Sequence, residues 1–320
     1  MITEFDIIKK YLKPLAKNDK NSLKLNDDIY FNFKNGTAIS LDTYIHGVHF
    51  INSSPEFFLK KVLRASLSDL FCKGIKPKHY FLSMSLNKKM LSSQWLKKVK
   101  RILETEQKKF NITLSGGDTT FSPKFSVTIV VLGYSKNKPV LRNTCKFNDD
   151  IYVTGNIGDS FIGLKVIKNN LKISSKLKKY FINQFYSPNL PFKIYKQMHK
   201  FANTSMDISD GLFSDMSKLI NMQKLSFEIY INKIPISKNL EIYLKKYNKK
   251  KSQYLFNGDD YQILFTSSVK NRSLIKSISK KMNQKITIIG KINNNYKKNS
   301  IKLDNKPQNL TKFKGYSHKF

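Results

Sequence analysis

Apolar residues recur at helical spacing in the segment that follows Ser54. They lie three or four residues apart, at Phe58, Leu59, Val62, Leu63, Leu67 and Leu70. This spacing places them on one face of a helix. Ser54 suits the N-cap, and Pro55 suits the first turn, where a missing amide hydrogen leaves no bond unmade. Gly74 and Pro77 follow the last apolar residue, so the pattern predicts an amphipathic helix that ends near Gly74.

Short apolar runs alternate with helical patterns along both halves of the chain. The predicted strands are 37–41, 80–86, 111–114, 125–134, 150–154, 205–208, 227–231, 262–266 and 286–292. The further predicted helices are 92–110, one from the turn 155–158 to residue 168, two lysine-rich segments, one from residue 211, and 269–282. The charged or asparagine-rich segments 245–251 and 293–299 are predicted as loops.

This order of elements predicts two domains with α/β or α+β layers, because strands alternate with helices in each half. The polar segment 142–149 lies between the halves. We therefore predict an N-terminal domain over residues 1–145 and a C-terminal α/β domain over residues 146–320.

The chain is strongly basic, with 58 lysine and arginine residues, 22 aspartate and glutamate residues and a formal net charge of +36. Lysine is spread over the whole length, whereas arginine occurs at Arg64, Arg101, Arg142 and Arg272 alone. Nucleic-acid sites normally use arginine for bidentate base contacts and stacking. The composition therefore favours solvated lysines over a nucleic-acid site, and the positive field would attract anionic substrates such as nucleotides.

Hydrophobic residues make up 40% of the chain, which allows a sizeable core. No apolar run reaches the roughly 18–20 residues that span a membrane. The first residues lack a basic segment followed by an apolar one, so no secretory signal is expected. The two cysteines, Cys72 and Cys145, do not form a Cys-x-x-Cys motif. We expect reduced thiols and a cytoplasmic protein.

Aspartates stand beside small residues at the predicted ends of several elements. They occur as Asn26-Asp27-Asp28, Leu41-Asp42-Thr43, Ser68-Asp69-Leu70, Gly116-Gly117-Asp118-Thr119 and Asp207-Ile208-Ser209-Asp210-Gly211. If these carboxylates share a cleft they repel each other, by on the order of 4 kcal/mol for a pair at ~4 Å and an effective dielectric near 20. Mg²⁺ relieves such repulsion and binds substrate phosphates at the same time. The set predicts a phosphotransferase, since phosphoryl transfer depends mostly on positioning and charge neutralisation.

Each motif also has a structural interpretation. The pair Asp27-Asp28 and the Gly-Gly-Asp sequence are typical of turns, and Asp42 could cap a loop. Asp69 could be a solvated position of its helix, and Asp210 could be the N-cap of the next one. Taken singly, each structural interpretation is the stronger one.

Taken together and in order, the motifs favour a functional interpretation over the structural ones. They read N-D-D, S-L-D-T-x-x-x-G-V-H-F, S-D-L-x-x-x-G-x-x-P, G-G-D-T-T, V-T-G-x-x-G-D-S, M-D-I-S-D-G-L, N-G-D-D-Y-x-I-L-F and G-Y-S-H-K-F. Across nearly the whole chain this set resembles thiamine-monophosphate kinases. The resemblance implies the two-domain fold of the superfamily of aminoimidazole ribonucleotide synthetase, and a homodimer paired through its N-terminal domains. It also implies direct, Mg²⁺-dependent transfer of the ATP γ-phosphate to thiamine monophosphate.

The resemblance assigns roles by motif. The metal ligands it implies are Asp28, Ser40, Leu41, Asp42, Asp69, Asp118, Asp207 and Asp210, with Leu41 serving only through its carbonyl. Among these, Asp42, Asp69 and Asp118 would hold Mg²⁺ for catalysis. The implied nucleotide contacts are Gly117, Asp118, Arg142 and Ser209, and the implied thiamine-phosphate contacts are His49, Asp259 and Tyr316.

Four departures from the family pattern concern the substrate pocket. Asn26 stands where the family has glycine, Leu41 where it has threonine, and Asp259 where it has glutamate, and the segment Pro188–Phe192 lacks an arginine. Related acceptors, as in selenophosphate synthetase, a hydrogenase maturation factor or a purine-pathway ligase, would require features that this chain lacks, such as a reactive N-terminal cysteine. A basic nucleic-acid-binding protein is the alternative from another class, and steeply salt-dependent DNA binding would favour it.

Overall fold

The structure is a computed structural model that describes residues 3–294, 299–309 and 315–316, without the side chain of Lys89. Its first sheet has the strand order β1-β2-β5-β3-β4. These strands are β1 (Tyr30–Phe31), β2 (Thr37–Ile45), β3 (Lys76–Leu86), β4 (Thr113–Phe121) and β5 (Ser126–Tyr134). The strands β3 and β4 run parallel, and the other neighbours are antiparallel. The helices of this half are α1 (Glu4–Ile7), α2 (Pro55–Cys72) and α3 (Ser93–Phe110).

A second sheet has the strand order β12-β11-β8-β10-β6-β9-β7. Its strands are β6 (Asp150–Thr154), β7 (Thr204–Asp207), β8 (Ser226–Tyr230), β9 (Ile263–Ser267), β10 (Ile286–Asn293), β11 (Ser300–Leu303) and β12 (Lys306–Pro307). Its helices are α4 (Asp159–Ile167), α5 (Ser175–Tyr186), α6 (Tyr195–Phe201), α7 (Leu212–Leu219), α8 (Lys238–Lys246) and α9 (Arg272–Lys281). The chain is thus a mixed α/β protein with two sheets, as the alternation of elements predicted.

Helix α2 connects the two halves of the fold. Fourteen of its 18 residues are buried, so both of its sides are covered. It packs on β2, β3 and β5 of the first sheet and also contacts β7, α5 and α6 of the second half. Because of this double burial, polar residues of α2 such as Lys61, Arg64 and Ser68 lie inside the protein and not in solvent.

The predicted strands and helices all have counterparts, but several boundaries were wrong. Asp42 and Asp118 do not end their strands: β2 continues to Ile45 and β4 to Phe121, because both strands go on pairing with their neighbours. Asp207 does end β7, as predicted.

Some helices also differ from the prediction. Helix α8 was not predicted, and it reaches into the expected loop 245–251. The predicted helix 269–282 is divided into a 3₁₀ turn, Val269–Asn271, and α9. Of the expected loop 293–299, residues 295–298 lie outside the described residues.

Candidate active site

Three carboxylates from distant parts of the chain meet in one place. Asp28 precedes β1, Asp69 lies in α2, and Asp207 ends β7. One oxygen of each carboxylate lies within 4.8 Å of an oxygen of the other two, and each residue is buried or half-buried. The interpretation of Asp69 as a solvated helix position was therefore wrong. Oxygen ligands at this spacing suit a hard divalent cation such as Mg²⁺.

Strand β2 brings Ser40 and Asp42 to the same group, because residues two apart share one face of a strand. The Ser40 hydroxyl donates a hydrogen bond to the carboxylate of Asp69. The Tyr44 hydroxyl lies 3.0 Å from Oδ2 of Asp42 and 2.9 Å from the Ser66 hydroxyl. Leu41 points to the opposite face, where its side chain is 64% exposed. Only its backbone is therefore available toward the carboxylates, as the sequence had suggested.

Burial raises the pKa of Asp42, Asp69 and Asp207. The pKa of Asp42 rises mainly through desolvation, and that of Asp69 rises well above its usual value through desolvation and then through the nearby Asp42 and Asp207 charges. Desolvation also raises the pKa of Asp207 to about 6. Burial and crowding disfavour the charged forms of these carboxylates, and a bound divalent ion would favour them.

Two basic side chains hold the Asp27-Asp28 pair. The ammonium of Lys73 lies 2.8 Å from Oδ1 of Asp27 and 2.7 Å from Oδ2 of Asp28. Arg142 forms an ion pair with Asp28, and its backbone N–H donates to Oδ2 of Asp27 at 2.8 Å. The pair is therefore more than a turn, and Arg142, the implied nucleotide contact, reaches a predicted metal ligand. We call Asp27, Asp28, Asp42, Asp69, Asp207, Lys73 and Arg142 the metal end of the site.

The loop before α7 is organised by Asp215. Its Oδ2 accepts the backbone N–H groups of Ser209, Asp210 and Gly211 at 3.0–3.1 Å. Gly211 is the N-cap residue, so the interpretation of Asp210 as N-cap was wrong. Lys218 forms ion pairs with both Asp210 and Asp215. The predicted ligand Asp210 therefore already has a cationic partner.

Asp118 lies apart from the converging carboxylates. It stands on the edge strand β4, opposite Ser83 of β3, and all nine residues of β4 are exposed. Its carboxylate accepts the N–H of Thr119 at 2.8 Å. At Gly117 a Cβ atom would lie 1.9 Å from the Leu82 carbonyl oxygen, so the close approach of the strands requires glycine there.

The predicted substrate residue Asp259 belongs to a second set of contacts. Its carboxylate lies 2.8 Å from the ammonium of Lys61 and accepts the Tyr261 hydroxyl at 2.9 Å. Lys61 is buried and also lies 3.4 Å from the centre of the Phe185 ring. Asp259 and Tyr261 have φ angles of +70° and +48°, which are uncommon for residues other than glycine. The surrounding contacts hold this strained turn in place.

Tyr316 lies close to the same turn. Its backbone N–H donates to the Asp210 carbonyl at 3.0 Å, and its side chain is 50% exposed. Burial, followed by the charges of Asp210 and Asp259, raises the pKa of Tyr316. The structure therefore brings Tyr316 and Asp259 together, although 57 positions separate them.

His49 is half-buried, and its Nδ1 accepts the backbone N–H of Ile45 at 3.0 Å. Its ring packs edge-on against Tyr44 with 5.8 Å between ring centres. Tyr44 in turn contacts Asp42, so His49 lies beside the metal end. We call Lys61, Asp259, Tyr261 and Tyr316 the acceptor end of the site.

Sequence reasoning missed Lys61, Lys73, Tyr44 and Asp215. Lys61 lies three residues after Phe58 and four before Ala65, on the apolar stripe of α2, where lysine is out of place. A lysine at such a position could have indicated, from the sequence alone, a buried partner of opposite charge. Lys73 follows the last turn of α2, and no pattern along the chain indicates that it contacts Asp27 and Asp28.

Comparisons with known proteins agree with this geometry. The family described as "AIR synthase related protein, N-terminal domain" matches residues 26–135. Thiamine-monophosphate kinase of Buchnera aphidicola (from Acyrthosiphon pisum) is 35% identical over 99% of this chain and 98% of its own length. The enzyme of the same name from Haemophilus influenzae is 30% identical over 98% and 97%.

A solved structure extends the likeness to the fold. The structure described as AaThiL complexed with AMPPCP and TMP superposes with a TM-score of 0.83 and 25% identity, over 99% of this chain and 97% of that one. No helix within the described residues is long and apolar enough to cross a membrane.

Proposed function

Because the chain belongs to the thiamine-monophosphate kinase family, we propose that it transfers the γ-phosphate of ATP to the phosphate of thiamine monophosphate. A phosphate oxygen of the acceptor attacks the γ-phosphorus, and the bond from that phosphorus to the β–γ bridging oxygen breaks. The bond's electron pair leaves with ADP, and thiamine diphosphate is the other product. The acceptor oxygen is already anionic, so the step needs no general base.

The convergence of Asp28, Asp69 and Asp207 is the observation that carries the proposal. These residues come from a loop, a helix and a strand end, yet their oxygens fit one cation. The donor set contains oxygen alone, which suits Mg²⁺ and not the softer metals that prefer sulfur or nitrogen. When bound, Mg²⁺ would neutralise phosphate charge that builds up during transfer.

We assign the other metal ligands from the same region. Ser40 and Asp42 lie against this group, and we propose the backbone carbonyl of Leu41, between them on the same strand, as a further ligand. We propose that Asp118 and Asp210 complete the set when nucleotide is bound. Their present partners, Thr119 and Lys218, are contacts that a ligand would have to displace.

ATP is the proposed co-substrate, in agreement with the AMPPCP-bound relative. We propose that Arg142 contacts the nucleotide phosphates, since its guanidinium already faces the anionic site through Asp28. The backbone at Gly117 and the loop residue Ser209 would add contacts. Asp215 accepts hydrogen bonds from the backbone N–H groups of the Ser209 loop and so keeps that loop in a fixed shape.

The acceptor end is proposed to bind thiamine monophosphate. Asp259 would balance the cationic thiazolium or accept a hydrogen bond from the aminopyrimidine. The exposed ring of Tyr316 offers an aromatic face to a cationic heterocycle. His49 would donate a hydrogen bond to the acceptor phosphate, beside the metal end.

We also propose a homodimer formed through the first sheet. The support is the edge strand β4, which is exposed along its whole length and carries Leu114 and Phe121 at 42% and 65% exposure. Unpaired edge strands that expose apolar residues are sites for pairing with another chain. The domain boundary is proposed at residues 145/146, between β5 and β6.

A direct assay tests the function. The protein is incubated with ATP, Mg²⁺ and thiamine monophosphate, and thiamine diphosphate and ADP are separated by chromatography. We expect equal amounts of the two products, and none when EDTA is present. ATP consumption with no thiamine diphosphate formed would overturn the proposal.

A further inference from the structure

Lys73 lies at the centre of the metal end with no exposed surface. It is the C-cap residue of α2, and its side chain is 0% exposed. The ammonium contacts three acceptors: Oδ1 of Asp27 at 2.8 Å, Oδ2 of Asp28 at 2.7 Å and the Ser205 carbonyl at 2.6 Å. An ammonium has three hydrogens, so these three contacts use its whole donor capacity.

These contacts connect the three segments that supply the converging carboxylates. Asp28 is bound directly, Asp69 lies four residues before Lys73 on the same helix, and Ser205 lies two residues before Asp207. The Ser205 hydroxyl completes the link by donating to the Cys72 carbonyl at 2.6 Å. Lys73 therefore fixes the relative positions of the carboxylates.

Cations from the chain already engage both oxygens of Asp28. Oδ2 faces Lys73, and Oδ1 faces Arg142. Arg142 is 14% exposed and is the proposed nucleotide contact, so it can turn toward a bound phosphate. Lys73 is enclosed, and its ammonium is already bound to Asp27, Asp28 and the Ser205 carbonyl. The side of Asp28 that faces Asp27 is thus permanently occupied by a positive charge.

We propose that Lys73 is a built-in cation of the metal centre: it occupies the Asp27-Asp28 position, holds Asp28 in place, and restricts divalent ions to the side facing Asp69 and Asp207. The proposal rests on the proposed function, because it concerns the metal that serves phosphoryl transfer. It makes Lys73 a positioning residue that sets how many divalent ions the centre holds. A bound divalent ion and a buried ammonium are alternatives at one anionic position, since both neutralise the same two carboxylates.

Counting bound metal ions on nucleotide-free protein tests this directly. Mn²⁺ is used as the probe because it prefers the same oxygen ligands as Mg²⁺ and its free form is visible by electron paramagnetic resonance. The neutral variants are Lys73→Met, which keeps the length of the side chain, and Lys73→Gln, which keeps a hydrogen-bond donor for the Ser205 carbonyl. We expect each to bind one more Mn²⁺ per chain than the parent protein.

Lys61→Met is the matched control. Lys61 is an equally buried lysine of the same helix, but its partner is Asp259. The loss of a buried lysine as such would destabilise both kinds of variant, whereas the count of bound Mn²⁺ should change only at position 73. Lys73→Arg, which keeps the charge, should retain the parent count.

Each possible outcome either supports or overturns the proposal. An unchanged Mn²⁺ count in folded Lys73→Met and Lys73→Gln overturns the proposal. Variants that fold only when Mn²⁺ or Mg²⁺ is present support it, because the ion then replaces the ammonium. Variants that stay unfolded at every metal concentration overturn it. The proposed function fails separately, if the parent protein makes no thiamine diphosphate whatever its Mn²⁺ count.

Discussion

The metal end and the acceptor end both use a buried lysine from the α2 region, but their charges are balanced differently. At the acceptor end one carboxylate, Asp259, faces one ammonium, Lys61. At the metal end five aspartates lie near Lys73 and Arg142, and three of them form no ion pair with any described residue. The charge of the acceptor end is therefore neutralised by the protein itself. The metal end carries more negative than positive charge, which favours the binding of added cations.

The two ends therefore differ in how far the protein alone fixes their geometry. The ion pair of Asp259 and the strained turn from Asp259 to Tyr261 hold their geometry through protein contacts alone. Burial raises the pKa values of Asp42, Asp69 and Asp207 at the metal end, so a bound cation would favour their charged forms. Changes at the two ends should therefore separate into effects on metal-dependent catalysis and effects on acceptor binding.

The largest effect is expected at Asp69. Asp69→Asn removes one charge from the centre of the carboxylate group and leaves the shape nearly unchanged. We predict that kcat falls by about 100-fold or more, because an amide cannot offset the charge of a divalent cation. The measurement is kcat with saturating ATP, Mg²⁺ and thiamine monophosphate.

The matched control is Asp304→Asn, the same chemical change at an exposed turn. It should keep the parent rate. Near-normal turnover in Asp69→Asn would show that the metal end is not the catalytic centre.

The next effect concerns Lys61 at the acceptor end. Lys61→Met leaves Asp259 without its cation, and breaking a buried ion pair costs about 3 kcal/mol of stability. We predict a lower Tm and a KM for thiamine monophosphate raised about 10-fold, with the KM for ATP nearly unchanged. Thermal unfolding and both KM values are measured on the same variant.

A double substitution sharpens this result. Lys61→Met combined with Asp259→Asn removes both charges, so the double variant should lose less stability than the sum of the two single variants. Additive losses would mean that the 2.8 Å contact does not couple the two residues energetically.

The third prediction concerns pH and the metal end. Asp42, Asp69 and Asp207 have raised pKa values when folded, so the folded protein binds their protons more tightly than the unfolded chain does. Their contribution to stability is fully present below about pH 4, the unfolded pKa of aspartate, and is lost as pH rises through the folded values, about 6 for Asp207. In EDTA we predict that Tm falls by several degrees between pH 5 and 8.

Mg²⁺ should reverse that loss, most strongly at pH 8, since it replaces the missing protons. Differential scanning calorimetry at both pH values, with EDTA or with Mg²⁺, measures the effect. A Mg²⁺-dependent rise in Tm that is larger at pH 5 than at pH 8 would contradict the assignment.

A smaller effect is expected at Tyr316. A cation–π contact with the acceptor is worth roughly 0.5–2 kcal/mol, so Tyr316→Ala should raise the KM for thiamine monophosphate about two- to thirty-fold. The KM for ATP should change little. If the variant instead loses thermal stability with its KM intact, Tyr316 is a packing residue and leaves the acceptor end.

The smallest effect is expected from the excess of lysine. Among the described residues the buried lysines are Lys61 and Lys73, and both are paired with aspartates inside the protein. Most of the remaining described lysines should act as solvated charges; Lys218, which pairs with Asp210 and Asp215, is an exception. We predict that DNA binding is weak and disappears near physiological salt, as measured by a gel shift over a salt series. Tight, sequence-selective binding at that salt would contradict this.

Much of the fold could be predicted because the local signals were strong. The apolar spacing after Ser54 and the proline of the first turn define α2, and the Ser92 side chain caps α3 as expected of a serine N-cap. The run 125–134 forms the central strand β5. The predicted strand ends were wrong where pairing between strands sets them. Strand β2 continues past Asp42 because its residues go on pairing with β5.

The alternation of elements, the family of the chain and the set of candidate aspartates could be predicted from the sequence, because each depends on residue order or on local spacing. Which aspartates converge, and which cations hold them, depends on how the chain folds. Asp118 and Asp69 look alike along the chain, yet one lies on an exposed edge strand and the other in a helix covered on both sides.

Lys73 shows the physical reason most clearly. Along the chain it is one lysine among many, three positions past Leu70, the last residue of the apolar helix stripe. Folding removes it from water and places its ammonium between two carboxylates some 45 positions away in the sequence. The free energy of a charge depends on burial and on neighbours at a few ångströms, and neither quantity is encoded at the residue's own position.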